Sequence, residues 1–185
     1  MGAVRASGRG PSRYHGASIT LHWLTFVVVA LAYAFVELRE LFPRGTPERA
    51  FMRQAHFSLG LTVFALVVVR LVLRWRHPAP PIQPPVPAGQ RRVAHGVHGL
   101  LYLFLLGMPL AGWVILSLRG DPIPWFGLSL PPLVGEDEAL GKLLRGWHGD
   151  IGRVAYGVIA LHAAAALWHH HMRRDDTLRR MWPGR

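Results

Sequence analysis

The chain of 185 residues contains no cysteine, and this absence removes several kinds of site at once. Disulfide bonds, Fe–S clusters, thiol nucleophiles and the C-x-x-C-H motif that attaches c-type haem all require cysteine. Acidic residues are also scarce, since ten Asp and Glu stand against 21 Lys and Arg. No polar stretch is long enough to suggest a separate soluble domain, so one compact unit is expected.

Apolar residues, by contrast, are abundant and make up 51% of the chain. They concentrate in four stretches, residues 17–38, 57–75, 93–118 and 151–168. Each is close to the ~20 residues that a helix needs to cross about 30 Å of hydrocarbon. Arg70 interrupts the second stretch and is expected to extend towards an interface. The predicted fold class is therefore all-α, an integral membrane four-helix bundle in contact with membrane lipid.

Charge predicts the orientation of this bundle, because Lys and Arg concentrate in segments that stay in the cytoplasm. With the amino terminus inside, the inner segments hold thirteen cations and two acids, whereas the outer segments hold eight of each. The net charge of +11 then lies on the cytoplasmic side, together with both termini. Since the cations flank apolar spans and form no stripe on a soluble face, we expect no nucleic-acid partner.

Three parts of the chain follow from this pattern. Residues 1–13 are predicted to be a flexible cytoplasmic N-terminus, residues 14–172 a four-helix transmembrane domain, and residues 173–185 a basic cytoplasmic tail. The first apolar stretch also resembles a signal peptide. Its cleavage, however, would remove His22 and leave an odd number of helices.

Four histidines lie inside or at the ends of the apolar stretches, and their positions indicate a cofactor. His148 and His162 are fourteen residues apart on one predicted helix. This spacing corresponds to roughly 21 Å along the axis and about 40° short of a whole number of turns, so both imidazoles face one partner. Such a spacing suits two stacked haems, which must be non-covalent because cysteine is absent.

The depth of each histidine predicts how the four combine. His22 lies near the inner end of the first helix and His162 in the inner half of the fourth, so these two form one pair. His56 and His148 are both predicted to begin their helices on the outer side and form the second pair. Two imidazoles on each iron leave no open coordination position and favour electron transfer over oxygen binding. For any single histidine, the alternative is a hydrogen bond between helices.

The remaining histidines allow two interpretations each. His95 and His98 share one face of the third helix and either contact a quinone or a haem propionate or lie on a solvated face. His169, His170 and His171 resemble a metal-binding tract. Their position beside Arg173 and Arg174 equally fits interfacial charge, which we favour for two of the three.

Several short motifs extend over nearly the whole chain after the first dozen residues. They are His22-Trp23-Leu24, Phe42-Pro43-Arg44, Val69-Arg70-Leu71, Ala94-His95 with His98, Arg119-Gly120-Asp121-Pro122, Phe126-Gly127-Leu128, Trp147-His148, Leu161-His162 followed by four alanines, and Thr177-Leu178 with Arg180-Met181. With these motifs the chain resembles the bacterial cytochrome b561 family, most closely its superoxide-oxidising members. The leucine-histidine-polyalanine motif that precedes His169-His170 is the most specific of them.

The resemblance implies an inner-membrane protein with two b haems that oxidises superoxide at the periplasmic face and reduces ubiquinone. The implied iron ligands are His22, His56, His148 and His162, and the implied quinone contacts on the cytoplasmic side are Thr20 and His169. Thr20 stands where serine is expected and keeps the hydroxyl. Because superoxide is a small anion, outward-facing cations would raise its encounter rate. The candidates for this steering are Arg39, Arg44 and Arg119.

Two other functions are compatible with the same apolar spans and histidines. A b-type cytochrome subunit would relay electrons between a periplasmic dehydrogenase or hydrogenase and quinone, with a protein redox partner in place of superoxide. A non-redox metal transporter would use the histidines as a relay, and it would lack the sharp visible bands of reduced haem.

The paired histidines and the lack of cysteine predict two non-covalent b haems per chain. The pyridine haemochrome assay on purified protein should give two haems, and acid-acetone should extract both completely. One haem per chain, or haem that stays attached, would contradict the prediction.

Overall fold

A computed structural model describes residues 13–184, and four helices form most of it. They are α1 (Gly16–Leu38), α2 (Pro47–Arg76), α3 (Ala88–Leu118) and α4 (Glu138–Trp168). Two strands of two residues each, β1 (Pro124–Trp125) and β2 (Leu128–Ser129), pair between α3 and α4. The N-terminal segment predicted to be flexible, residues 1–13, lies outside the described residues except for Arg13.

All four helices are long and apolar enough to cross a membrane. Large apolar side chains on their outward faces are exposed, among them Phe26 at 53%, Leu103 at 69% and Leu161 at 60%. So much apolar surface is stable only against lipid, because water would penalise its exposure. The prediction of an all-α membrane four-helix bundle is therefore confirmed.

Two helices begin well before the apolar stretches that predicted them. Helix α2 starts at Pro47, ten residues earlier than expected, after the Thr46 side chain accepts a hydrogen bond from the Arg49 amide at 3.4 Å. Helix α4 starts at Glu138 instead of residue 151, after Asp137 caps the Leu140 amide at 3.0 Å. Hydropathy detects only the part of a helix inside hydrocarbon, whereas capping residues and proline at the first position extend it into the polar zone.

These longer helices correct the predicted depth of two histidines. His56 is nine residues after Pro47, and His148 is ten residues after Glu138. Both therefore lie roughly 14–15 Å along their helices. The prediction that His56 and His148 begin their helices was wrong, because each helix starts in a polar segment outside its apolar stretch.

Consecutive helices pack side by side, α1 on α2, α2 on α3 and α3 on α4. We call the end of the bundle with the start of α1 and the end of α4 the terminal end, and the end with β1 and β2 the hairpin end. One core cluster, formed by Val28, Val63 and Val67, joins α1 to α2. The second, with Leu61, Leu116 and Ile123, lies towards the hairpin end.

The β-hairpin at the hairpin end is attached to α2 by hydrogen bonds. Its turn places Phe126 and Gly127 at φ +47° and +88°, as a tight two-residue hairpin requires. The Ser58 hydroxyl donates to the Pro124 carbonyl and accepts from the Phe126 amide, both at 3.2 Å. The Trp125 indole donates to the Thr62 hydroxyl at 3.1 Å. The hairpin therefore covers part of the half of α2 at the hairpin end.

The segment after α4 folds back over the terminal end. A π-turn, His169–Arg173, is followed by Arg174 in the left-handed conformation, with φ +54°. Arg180 is buried, donates to the Pro80 carbonyl, forms an ion pair with Asp176 at 3.4 Å and lies over the Tyr14 ring. Arg180 thus connects the predicted basic tail to the link between α2 and α3.

We predict that Arg180→Gln releases this segment, because charge-assisted hydrogen bonds of this kind contribute about 2 kcal/mol. Hydrogen exchange of the amides in residues 175–182, measured by mass spectrometry, should become at least tenfold faster. Arg179 is exposed beside it, so Arg179→Gln is the matched control and should leave exchange unchanged. Equal exchange in both variants would show that Arg180 does not anchor the segment.

Candidate functional site

The four predicted ligand histidines come together as two pairs, each between α4 and another helix. The ring centroids of His22 on α1 and His162 on α4 are 6.4 Å apart. Those of His56 on α2 and His148 on α4 are 6.5 Å apart. His22 lies six residues after the start of α1 and His162 six residues before the end of α4, so their depths match. One pair therefore lies in the terminal half of the bundle and the other in the hairpin half.

These separations fit one metal ion between two imidazoles. Two in-line metal–nitrogen bonds of about 2.1 Å, plus about 1.1 Å from each nitrogen to its ring centre, give about 6.4 Å. Direct packing or a hydrogen bond between the rings needs no such spacing. Both pairs satisfy the spacing independently.

His56 is oriented by its own helix pair. Its Nδ1 lies 2.8 Å from the Ala32 carbonyl oxygen of α1, and a carbonyl can only accept, so Nδ1 donates. The neutral ring then carries its lone pair on Nε2. A second hydrogen bond of this kind is the usual means by which proteins orient a metal-binding histidine.

Small residues surround the hairpin-half pair. Gly112 of α3 lies against His148, with 3.6 Å from the His148 Cε1 to the position that a Cβ would take. Gly60 is one turn after His56, and no atom of the described residues lies within 4 Å of the position of its Cβ. The His148 Nδ1 is buried without a hydrogen-bond partner among those residues. The donor set and the small residues together would fit a macrocycle held by the two imidazoles.

Arg70 contacts the terminal-half pair. It is half-buried, and its Nη2 lies 3.2 Å from the His22 Nδ1, while its guanidinium stacks over the Tyr102 ring at 5.8 Å. A guanidinium only donates, so His22 accepts through Nδ1 in this arrangement and carries its proton on Nε2. Binding a metal through Nε2 would require that proton to leave Nε2 and Arg70 to give up this hydrogen bond if the proton moved to Nδ1. Arg70 therefore places a positive charge beside His22.

His98 is closer to this pair than the sequence indicated. Its ring centroid lies 5.4 Å from that of His162, edge to face. This distance is shorter than two axial bonds require, so the geometry favours His22 and not His98 as the partner of His162. His95 is exposed one turn earlier on α3.

The two predicted quinone contacts lie at the terminal end. Thr20 is exposed on α1, two residues before His22. His169 lies at the start of the π-turn, with Nδ1 2.5 Å from the Asp175 Oδ2 and Nε2 3.1 Å from the Gln90 side chain. The sequence analysis missed Asp175 and Gln90. A signal for Asp175 exists, since it is one of two acids among the predominantly basic segments that the sequence predicts to be cytoplasmic.

The predicted superoxide-steering arginines lie at the hairpin end, and two of them are paired. Arg39 bonds Glu40 at 3.0 Å, and Arg119 bonds Asp121 at 2.9 Å, whereas Arg44 is exposed. Two further arginines were missed. Arg145 lies within electrostatic range of Arg119, Arg39 and Arg53. Arg53 and Arg145 each precede a paired histidine by three residues, an R-x-x-H pattern visible in the sequence.

The histidine tract provides no conventional metal site. Within residues 13–184, no group of three or more His, Cys, Asp or Glu side chains is close enough to hold an ion. The His170 and His171 rings contact each other at 4.8 Å, while His169 bonds Asp175. The two histidine pairs are therefore the candidate cofactor-binding sites among the described residues.

Comparisons with known proteins agree with this geometry. The family model described as prokaryotic cytochrome b561 matches residues 13–184. "Cytochrome b561 homolog 1" of Escherichia coli (strain K12) is 36% identical over 174 residues, which cover 94% of this chain and 99% of the relative. "Probable superoxide oxidase CybB" of Yersinia pestis is 35% identical, with 92% and 96% covered, and "Cytochrome b561 homolog 2" of Escherichia coli is 29% identical, with 92% of each covered.

The match extends over all four membrane-spanning helices and the segment after α4. It confirms the resemblance seen in the sequence motifs, and it implies b-type haem and a redox function in a multi-pass membrane protein. The chain belongs to the prokaryotic cytochrome b561 family.

Proposed function

We propose that this chain is a di-haem oxidoreductase of the inner membrane that takes electrons from superoxide at the periplasmic face and passes them to ubiquinone. The observation that carries the proposal is the presence of two histidine pairs with equivalent separations, 6.4 and 6.5 Å, at two depths along α4. One pair alone would supply a single redox centre near one membrane face. Two pairs supply a path between the faces.

In this proposal, His22 and His162 hold the inner haem, and His56 and His148 hold the outer one. When bound, the two haems supply reversible one-electron chemistry. The protein residues orient the ligand rings and set the charge around them. The Ala32 carbonyl holds the ring of His56 through Nδ1 and leaves the lone pair on Nε2 for a metal, and Arg70 adds positive charge beside His22. A haem held by two imidazoles would favour electron transfer over oxygen binding.

The orientation follows from charge. The terminal end carries the basic segments around Arg74, Arg91 and Arg173, so we place it, with both chain termini, in the cytoplasm. The hairpin end then faces the periplasm. We propose the division of the chain that the sequence predicts, with residues 14–172 as the membrane domain and residues 173–185 as the cytoplasmic tail.

Superoxide would be attracted at the hairpin end by the group of arginines there. Arg39 and Arg119 keep part of their charge, because exposed ion pairs are weak and screened by solvent. Arg44 is exposed, and Arg145 adds a further positive charge near Arg119. The acids Glu40 and Asp121 reduce the local field, and the outer segments carry equal numbers of cations and acids, so steering would depend on the positions of these arginines and not on net charge.

Ubiquinone would bind at the terminal end, where His169 and Thr20 carry the polar contacts, and where His95 and His98 lie on α3. Overall, two superoxide ions and one quinone take up two protons and give two dioxygen molecules and one quinol. Charge and atoms balance, since each superoxide loses one electron and the quinone gains two. The 35% identity to a relative named "Probable superoxide oxidase CybB" supports this choice of donor.

An electron relay for a periplasmic dehydrogenase or hydrogenase is the second candidate. One observation favours it: Phe126 and Leu128 at the hairpin tip are 67% and 63% exposed and could contact a protein donor. A metal transporter has less support, because the described residues contain no cluster of three ion ligands.

The deciding experiment supplies superoxide and a water-soluble ubiquinone to the purified protein. The superoxide oxidase function predicts rapid haem reduction without any protein donor, followed by quinol at one molecule per two superoxide ions. Haems that superoxide does not reduce, but that a purified dehydrogenase does, would support the relay instead. Protein without haem bands would support the transporter.

We predict that substituting either histidine of a pair causes the loss of the same haem. His22→Ala and His162→Ala should each remove the same spectral component and reduce the haem content from two to one, because loss of one axial ligand destabilises its site. His56→Ala and His148→Ala should remove the other component. His77→Ala, at an exposed position, is the control and should retain both. Loss of the same component in His22→Ala and His56→Ala would disprove the assigned pairing.

We also predict that the second-order rate of haem reduction by superoxide falls as ionic strength rises. Charges steer an anion over about 10 Å at 0.1 M salt, and more salt shortens this range. The Arg39, Arg44 and Arg119→Gln triple variant should be slower and less sensitive to salt in stopped-flow experiments. A triple variant of Arg76, Arg91 and Arg92→Gln removes equal charge at the terminal end and should match the wild type. A rate that neither salt nor the first variant changes would exclude steering.

A further inference from the structure

A buried acid at the terminal end controls the predicted quinone contact His169. The Asp175 side chain is 1% exposed, and its Oδ2 lies 2.5 Å from the His169 Nδ1. Its Oδ1 accepts a hydrogen bond from the Thr177 amide at 3.0 Å. Burial opposes ionisation of Asp175, but hydrogen bonds from His169 and Thr177 outweigh it and lower its pKa. The carboxylate therefore stays charged and holds the proton of His169 on Nδ1.

The other nitrogen of His169 faces an amide whose orientation is set by a third residue. The Gln90 Oε1 accepts from the Arg173 Nη1 at 3.1 Å. The Gln90 Nε2 is thereby turned towards the His169 Nε2, at 3.1 Å. An amide nitrogen only donates, so the His169 Nε2 must accept, and this requires the neutral imidazole. The hydrogen bonds form one directional chain from Arg173 through Gln90 and His169 to Asp175.

Protonation of His169 breaks this chain at a single point. The imidazolium carries N–H groups on both nitrogens, and its Nε2–H then faces the N–H of Gln90 without an acceptor. The bond to Asp175 remains and becomes stronger, because the two groups then carry opposite charges. A protonated His169 therefore needs a new acceptor at Nε2, and a quinone carbonyl oxygen is a neutral acceptor of that kind.

We propose that Asp175 is the positioning residue that makes His169 a proton donor to the quinone, and that the quinone oxygen replaces the Gln90 amide on the His169 Nε2. This inference rests on the proposed quinone reduction at the terminal end. His169 takes a proton from water on that side, and the N–H bond at Nε2 breaks as an O–H bond forms on the quinone. The two electrons come from superoxide, and one of the two protons of the quinol passes through His169.

The charged groups around His169 are consistent with this role. Asp175 contacts it directly, and Arg173 acts through Gln90. Asp176 instead bonds the Gln83 amide at 2.9 Å and the Arg180 side chain at 3.4 Å. Arg91 and Arg92 of α3 are exposed. Asp175 is thus the acid that decides which nitrogen of His169 carries the proton.

The test uses the haem-loaded, full-length protein and its Asp175→Asn variant. Without the carboxylate, the imidazolium is less stable, so the alkaline limit of quinol formation should move to lower pH by about one unit. The rate at pH 7.5 should fall about tenfold, whereas haem reduction by superoxide should stay within twofold of wild type. Asp176→Asn removes an equal charge beside it and should leave the pH profile unchanged. A uniform loss at every pH, shared by both variants, would reduce Asp175 to a structural role and overturn the proposal.

Substitutions of Gln90 test the same chain by binding alone, through calorimetry with a water-soluble ubiquinone. Gln90→Ala removes the competing amide, so the quinone should bind about fivefold more tightly, as expected for one net hydrogen bond. Gln90→Glu offers a permanent acceptor to protonated His169 and should weaken binding by a similar factor. Equal affinities in all three proteins would overturn the proposal. If superoxide fails to reduce the haems while quinone binding follows this order, the proposed donor is wrong and the role of Gln90 and Asp175 stands.

Discussion

Polar groups inside a bilayer have no water to bind, and this constraint governs the whole structure. Backbone groups satisfy it by forming helices, which is why four helices account for the membrane-spanning part. Polar side chains in the spans satisfy it by hydrogen bonds to backbone carbonyls or to other side chains. The His56 Nδ1 donates to a carbonyl of the neighbouring helix, and Arg70 donates to His22. The imidazoles that could serve a cofactor are thus oriented by the same requirement that stabilises the bundle.

Helix α4 has a different role from the other three. Its buried residues are Gly141 and Ala155, and its close helix contacts are with α3. It nevertheless supplies one histidine to each pair, while α1 and α2 supply one each. Because both His148 and His162 lie on this one helix, its geometry sets the distance between the two sites. The chain beyond α4 returns across the terminal end, where it contacts the link between α2 and α3.

Periodicity and charge predicted much of this arrangement from the sequence. The fourteen-residue spacing placed His148 and His162 on one face of one helix, and the motifs around them indicated the family correctly. Helix starts were less predictable, since Pro47 and Glu138 begin polar extensions that hydropathy does not detect. The sequence signals for these helix starts were the capping residues Thr46 and Asp137, which are weaker indicators of a helix than a long apolar run.

The contacts of His169 could not be predicted from the sequence, for a different reason. Gln90 is 79 residues away in sequence. Asp175 is near in sequence but reaches back only because the π-turn widens the helix and Arg174 adopts a left-handed conformation. No propensity predicts such a conformation at an arginine. The approach of His98 to His162 likewise depends on how α3 crosses α4.

The spacing of the histidines along α4 also has an electrical consequence. Fourteen residues correspond to about 21 Å, or roughly two thirds of the ~30 Å hydrocarbon thickness. In the proposed orientation, an electron that moves from the level of His148 to that of His162 travels towards the negative side of an energised membrane. Moving one charge across the full thickness requires about 2.3 kcal/mol per 100 mV, so this step works against about 1.5 kcal/mol for each 100 mV of membrane potential. Oxidation of superoxide outside would then be coupled to the membrane potential, and the reaction would slow as that potential grows.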